Sequence, residues 1–131
     1  MLFSTKSVSG QINLDTLDYV ILNDTISTLV GWQALPKTQT NLSSEEIKIT
    51  DATINDYFIN YPFKPAYKNY KRQYVPITNS KGEKEIWVNY FCGYEKSWKT
   101  YVVSVQDGGN CFFQIKVNLS TGKCYNFMVN S

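Results

Sequence analysis

The three cysteines of this 131-residue chain, Cys92, Cys111 and Cys124, are the first residues to consider for chemistry. Their odd number and the lack of CxxC spacing fit neither a zinc knuckle nor an even disulfide framework. The chain contains no histidine, so triads with an imidazole base and His-ligated zinc or haem sites are excluded. The sequence therefore predicts no catalytic residue, no metal site and no cofactor.

Two interpretations of the cysteines remain open. Cys92 and Cys111 fall on apolar strand faces, and with no neighbouring base we expect them to be free structural thiols. A disulfide between them is the alternative if the protein is exported, but the predicted hairpin register places them toward opposite ends of the sheet. Cys124 lies opposite Tyr125 and Phe127 in the predicted alternation, so it is the thiol expected to be exposed.

Four carboxylates, Glu83, Glu85, Glu95 and Asp107, are candidates for an acid/base pair of the kind used in glycoside hydrolysis. All four lie in or beside predicted turns, where carboxylates are ordinarily solvated, so we expect no catalysis from them. A calcium loop needs more oxygen ligands than residues 107–110 supply, so Asp107 is assigned to its turn.

Large aromatic side chains occupy both faces of the predicted sheet. Trp87 and Phe91 share a face opposite Ile86 and Val88, and Phe112 falls on the polar face of its strand. We expect the N-terminal arm to cover the face that carries Trp87 and Phe91, because the arm must pack somewhere. The alternative is that this face is a docking surface. The candidate contacts of that surface are Trp87, Phe91, Trp98, Phe112, Asp107 and Asn110.

Residues 42–61 are the predicted helix. Ser43 or Ser44 can cap it, Glu45 and Glu46 suit its first turn, and the apolar residues that follow fall near one helical stripe. Pro62 ends the helix. The β-branched residues in 47–54 leave a short strand or a later helix start as alternatives.

Residues 73–129 are predicted to form an antiparallel sheet of four to five strands. The strands cover residues 73–78, 84–92, 98–106, 111–119 and 123–129, with turns at 79–83, 107–110 and 120–122. Pro76 lacks a ladder donor and so indicates an edge position or a bulge. Residues 1–41 are predicted to form an N-terminal arm with weak strand signals. The length of the chain matches one domain, so residues 1–131 are expected to be a single α+β domain.

Composition limits the class of partner. Lys and Arg total 13 against 11 Asp and Glu, a net charge of +2 that is too small for a dedicated nucleic-acid binder. The basic run Lys64, Lys68, Lys71 and Arg72 is expected to be a solvated connector.

No stretch is long and apolar enough for a membrane helix. We expect a soluble protein, either cytoplasmic or an exported or lipoprotein domain whose leader has been removed.

The segments 86–92, 98–99, 105–113 and 115–119 resemble a family of small bacterial proteins for which no activity is known. The order of one helix followed by meandering strands is similar to the cystatin-like group, which includes nuclear-transport-factor-like domains. That resemblance implies a curved sheet wrapped around one helix.

A non-enzymatic module that binds a protein partner is the leading expectation for function. An inhibitor or an immunity-type protein is an example of such a module. The alternative is a nuclear-transport-factor-like small-molecule binder or enzyme with a pocket between the helix and the sheet. A filled space between helix and sheet favours the first hypothesis, and a deep cavity there favours the second.

Overall fold

The computed structural model describes residues 19–22, 38–61, 70–93, 96–100, 102–103 and 109–130. Six strands and one helix lie in these ranges, and together they form an α+β fold with one sheet. The elements are β1 (Tyr19–Ile21), β2 (Thr38–Gln39), α1 (Ser44–Ile59), β3 (Lys71–Thr78), β4 (Lys84–Phe91), β5 (Gly109–Asn118) and β6 (Lys123–Asn130).

Helix α1 begins where the capping residues predict it. The Ser43 side chain accepts a hydrogen bond from the Glu46 backbone N–H at 3.1 Å, and Glu46 Oε1 accepts one from the Ser43 N–H at 3.0 Å. This capping box satisfies two backbone donors that have no partner inside the helix. The bond from the Ser43 backbone, followed by the bond from Lys84, lowers the pKa of Glu46. The predicted helix is confirmed.

Replacing Ser43 with alanine is expected to lower the free energy of unfolding by about 1 kcal/mol, because one capping bond is lost. Urea denaturation measures the change. Ser44→Ala is the matched control: Ser44 is exposed and does not cap, and its substitution should change stability by less than about 0.5 kcal/mol. Equal losses for the two variants would contradict the assignment of Ser43 as the cap.

The sheet has the strand order β1-β3-β4-β5-β6, with β2 also paired to β3. Strands β3 to β6 are antiparallel neighbours. The pairings of β3 with β4 and of β5 with β6 are as predicted, whereas the pairing of β4 with β5 was not. β1 instead runs parallel to β3, so the sheet is mixed and the prediction of a wholly antiparallel sheet is wrong for this strand. The reason is that β1 comes from the arm, and a parallel pair needs a long connection, which the chain between β1 and β3 supplies.

Pro76 lies in β3 between the stretches that pair with β1 and β2. The Leu22 N–H donates to the Tyr74 carbonyl at 2.9 Å, so Tyr74 points its backbone groups away from β4. Strand alternation turns the backbone groups of Pro76 the same way, toward the gap between β1 and β2. Its missing N–H therefore removes no bond to β4. Because β3 is paired on both sides and its register with β4 is continuous, the expectation of an edge position or a bulge is wrong, and the gap between β1 and β2 accommodates the proline instead.

The predicted strand at residues 98–106 is wrong where the structure describes it. Residues 96–100 form turns and residues 102–103 belong to no strand. As a result β4 pairs directly with β5 through Phe91 and Phe112, although 17 residues separate the two strands. The apolar residues of this segment cover the sheet, which explains their β-like pattern.

Cys92 and Cys111 form a disulfide, so the expectation of two free thiols is wrong. Each cysteine lies just beyond the Phe91–Phe112 pair of the ladder, and the Cys92 N–H donates to the Cys111 carbonyl at 3.0 Å. Their Cα atoms are 5.1 Å apart, within the range that a disulfide needs. The predicted register failed because it inserted a strand between β4 and β5.

Strand β6 contains a bulge at Asn126, whose φ is 55°. Residues 126 and 127 oppose one residue of β5, because Lys116 pairs with Tyr125 and Gln114 with Met128. The bulge places Cys124 on the same face as Phe127. The prediction of an exposed Cys124 is therefore wrong: this thiol is half-buried, its Sγ lies 3.6 Å from the Thr53 carbonyl oxygen, and burial raises its pKa to about 11.

The helix face of the sheet carries the main core. Phe113 is fully buried there and stacks on Tyr90 with ring centroids 4.5 Å apart, and Phe58 of α1 contacts Phe113 edge-on at 5.8 Å. The other buried residues of this core are Leu42, Ile47, Ile54, Tyr74, Ile86, Val88, Ile115 and Val117.

A polar cluster joins α1 to β3 at the edge of this core. The Tyr74 hydroxyl donates to Asp51 Oδ1 at 2.6 Å, and the Arg72 guanidinium lies 3.5 Å from Asp51 Oδ2. Burial, followed by the neighbouring Tyr90 and Asp51, raises the pKa of Tyr74 well above its usual value. Arg72 is buried, so the solvated connector predicted for the basic run is wrong at this residue.

Candidate functional site

The aromatic residues predicted as docking contacts lie mostly in the interior. Phe91, Trp98 and Phe112 are 0%, 7% and 8% exposed and pack together on the face of the sheet opposite α1, called here the second face. Trp87 is half-buried on the same face beside Val75 and Ile77. Phe91, Trp98 and Phe112 are therefore core residues, and they are not available as surface contacts.

The second face is covered by two chain segments. Val20 and Leu22 of the arm pack on it, as the coverage interpretation expects, and Trp98, Val102 and Val103 complete the layer. The contribution of Trp98, Val102 and Val103 was not expected, because the strand predicted at residues 98–106 includes all three.

A row of side-chain amides, two of them fully buried, attaches this covering segment to the sheet. Gln73, Asn89 and Gln114 are opposite one another on β3, β4 and β5. The Gln73 amide donates to the Trp98 carbonyl at 2.6 Å, and Gln73 Oε1 accepts from the Val103 N–H at 2.9 Å. The Asn89 amide donates to Gln73 Oε1 and to the Val103 carbonyl. These bonds satisfy groups whose burial would otherwise be costly, so the network is structural.

The remaining predicted contacts are placed only in part. Asp107 lies outside the described residues, as does Glu95. Asn110 belongs to β5, one residue before Cys111. The structure therefore does not bring the predicted docking set together as one free surface.

A pocket of about 570 Å³ lies at the end of the sheet where two turns meet. Residues 79–83 connect β3 to β4, and residues 119–122 connect β5 to β6. Gly82 and Gly122 have positive φ angles of 80° and 74°, which the tight chain reversals require. The pocket is called here the turn-end pocket, and its main polar residues are Asn79, Glu83, Glu85, Lys116, Asn118 and Tyr125.

Two asparagines organise this pocket. Asn79 Oδ1 accepts from the backbone N–H groups of Lys81 and Glu83, and its amide donates to Glu83 Oε1 at 3.1 Å and to Glu85 Oε2 at 2.7 Å. Asn118 repeats the pattern: its Oδ1 accepts from two backbone N–H groups of the second turn, and its amide donates to Glu83 Oε1 at 3.1 Å. Each asparagine therefore fixes a turn and a carboxylate together.

The electrostatics of the pocket favour binding over proton transfer. Hydrogen bonds from Asn79 and Asn118 lower the pKa of Glu83, so this carboxylate stays ionised and is a poor general acid near neutral pH. Glu85 is only 8% exposed. Burial, and then the hydrogen bond to Glu85, raises the pKa of Tyr125, which therefore stays protonated. The Lys116 ammonium lies 5.9 Å from the centre of the Tyr125 ring.

No protein-family model, curated protein or solved structure matches the chain. Its function must therefore be inferred from its own residues.

Two further observations concern the described ranges alone. No helix there is long and apolar enough to cross a membrane. In the same ranges, no three or more cysteine, aspartate or glutamate side chains converge as metal ligands.

Glu83 and Glu85 were predicted as candidate carboxylates, but the pocket that they line was not predicted. The missing signal was the pair of asparagines at the ends of β3 and β5, Asn79 and Asn118, each of which comes directly before a turn. Asparagine in that position commonly holds a turn with its side-chain oxygen, which leaves the amide free to orient a neighbouring carboxylate.

Proposed function

We propose that this protein is a non-enzymatic binding module that recognises a protein partner through the turn-end pocket and its rim. The pocket is the observation that carries the proposal, because it combines solvent access with side chains held in fixed positions. Fixed side chains lose little freedom when they bind, which favours recognition. Inhibitors and immunity-type proteins are examples of such modules.

The filled space between α1 and the sheet supports this proposal over the nuclear-transport-factor-like alternative. Ile54, Phe58 and Phe113 are at most 3% exposed and occupy the middle of that space. A small-molecule binder of that class needs a cavity there. A helix packed on one face of the sheet also fits the proposed cystatin-like arrangement.

We also propose that the protein acts after export, in an oxidising compartment. The Cys92–Cys111 disulfide supports this location, since such bonds persist outside the cytoplasm and are rare within it.

The test of the proposed function reverses two charges on the rim of the pocket. Lys81 and Lys123 are exposed and line the pocket, so Lys81→Glu with Lys123→Glu should leave the fold intact. Immobilised wild type and variant are exposed to an extract of the native host, and the captured proteins are quantified. We expect a partner that the variant retains about tenfold less well, since altering contact residues costs binding energy.

The control reverses the same number of charges elsewhere. Lys48→Glu with Lys96→Glu changes two exposed lysines that do not line the pocket, and this variant should retain the partner as the wild type does. Equal capture by the wild type and the rim variant, or no captured partner, would contradict the proposed function.

A further inference from the structure

We propose that the turn-end pocket binds an uncharged saccharide unit, either as a free sugar or as a glycan on the partner protein. The inference rests on the proposed function and names the group that the pocket receives. The charges of the lining support it. Glu83 and Glu85 oppose Lys81, Lys116 and Lys123 within one small space. A ligand with a net charge of either sign therefore meets like charges, whereas an uncharged polar ligand does not.

The fixed hydrogen-bonding groups match the chemistry of neighbouring hydroxyls. Glu83 Oε1 already accepts bonds from Asn79 and Asn118, which hold the carboxylate in place. A carboxylate has about four acceptor sites, so Glu83 keeps capacity for further donors. The ammonium groups of the lysines donate only. A hydroxyl both donates and accepts, so adjacent hydroxyls can bond to the carboxylate and to a lysine at once.

The size of the pocket separates a saccharide from a single polar side chain. A volume of about 570 Å³ is within the usual range for small-molecule sites. One serine or asparagine side chain from a partner fills little of this space and reaches few of the polar groups. A sugar ring presents several hydroxyls around an apolar body, which can also contact the half-buried Tyr125.

Nuclear magnetic resonance titration of the ¹⁵N-labelled protein tests this proposal. The probes are glucose, galactose, mannose and N-acetylglucosamine, with arginine as the cationic probe and inorganic phosphate as the anionic probe. We expect at least one sugar to shift the amide signals of Lys116, Thr121 and Tyr125, with a Kd below about 10 mM. Shifts from arginine or phosphate alone, or no shift from any probe, would overturn the proposal.

Glu83→Gln tests the assigned residue. Glu83 is only half-buried and glutamine has nearly the same shape, so the fold should persist while the carboxylate is lost. We expect sugar affinity to fall about tenfold, because bonds to a charged acceptor are stronger than bonds to a neutral one. Glu45→Gln, an exposed change on α1, should leave the affinity unchanged. Equal affinities for both variants would contradict the role of Glu83.

A second arm identifies the source of the sugar and separates the two proposals. If glycosidase treatment of the host extract abolishes capture of the partner by the immobilised protein, the sugar is a glycan on the partner protein. Unchanged capture together with free-sugar binding indicates a free sugar. Capture that depends on Lys81 and Lys123 while no sugar binds would refute the saccharide inference and leave the proposed function standing.

Discussion

Reduction of the Cys92–Cys111 disulfide is expected to lower the free energy of unfolding by about 3 kcal/mol. The two cysteines are 19 residues apart, so the bond restricts a loop of the unfolded chain and removes part of its conformational entropy. Cys92 is exposed and open to a reductant. Urea titrations with and without a phosphine reductant measure the change in midpoint.

A double variant provides the control for this result. With Cys92→Ser and Cys111→Ser, the reductant should have no further effect, because the remaining Cys124 is a single thiol. The wild type without reductant should unfold at a higher urea concentration than the double variant. Identical midpoints for oxidised and reduced wild type would show that the bond does not contribute to stability.

Phe113→Ala is expected to lower the free energy of unfolding by about 3 to 5 kcal/mol. Phe113 is fully buried and contacts rings from β4, β6 and α1, including Tyr90, Phe127 and Phe58. Truncation leaves a cavity between the helix and the sheet and removes these ring contacts. Urea denaturation measures the loss.

The control for this change lies on the neighbouring strand. Met128 is 61% exposed, so Met128→Ala should change stability by less than about 0.5 kcal/mol. If Phe113→Ala does not fold, Phe113→Leu keeps most of the apolar volume and should still destabilise the protein more than Met128→Ala. Equal stabilities for the Phe113 and Met128 variants would mean that the assigned core face is wrong.

Local sequence signals predicted the elements whose structure depends on neighbouring residues. The cap at Ser43 set the start of α1, and alternation set β4 and β5 within two residues at each end. Turn residues such as Gly82 and Gly122 set the chain reversals, because few other residues adopt positive φ. These signals act over a few residues, so they can be read without the rest of the chain.

The errors occurred where distant residues decide the structure. The apolar pattern of residues 98–106 suits a strand and also suits a segment that covers a sheet, so periodicity could not separate the two. That one error displaced Cys111 from Cys92 in the expected register. The bulge at Asn126 shifted the phase of β6 and moved Cys124 to the helix face.

The candidate site was predictable only as separate residues. Glu83 and Glu85 were recognised as carboxylates near a turn, whereas Asn118 and Tyr125 come from strands 30 or more residues later. Their convergence depends on the pairing of β4 with β5 and of β5 with β6, which no local pattern specifies.

Hydrogen exchange of the protein bound to its captured partner tests most directly whether the turn-end pocket is the recognition site. Binding there predicts slower exchange of backbone amides in the two turns, residues 79–83 and 119–122, and in β5 beside Lys116, while the exchange of α1 stays unchanged. Slower exchange confined to α1, with both turns unaffected, would contradict the account and place the recognition surface on α1.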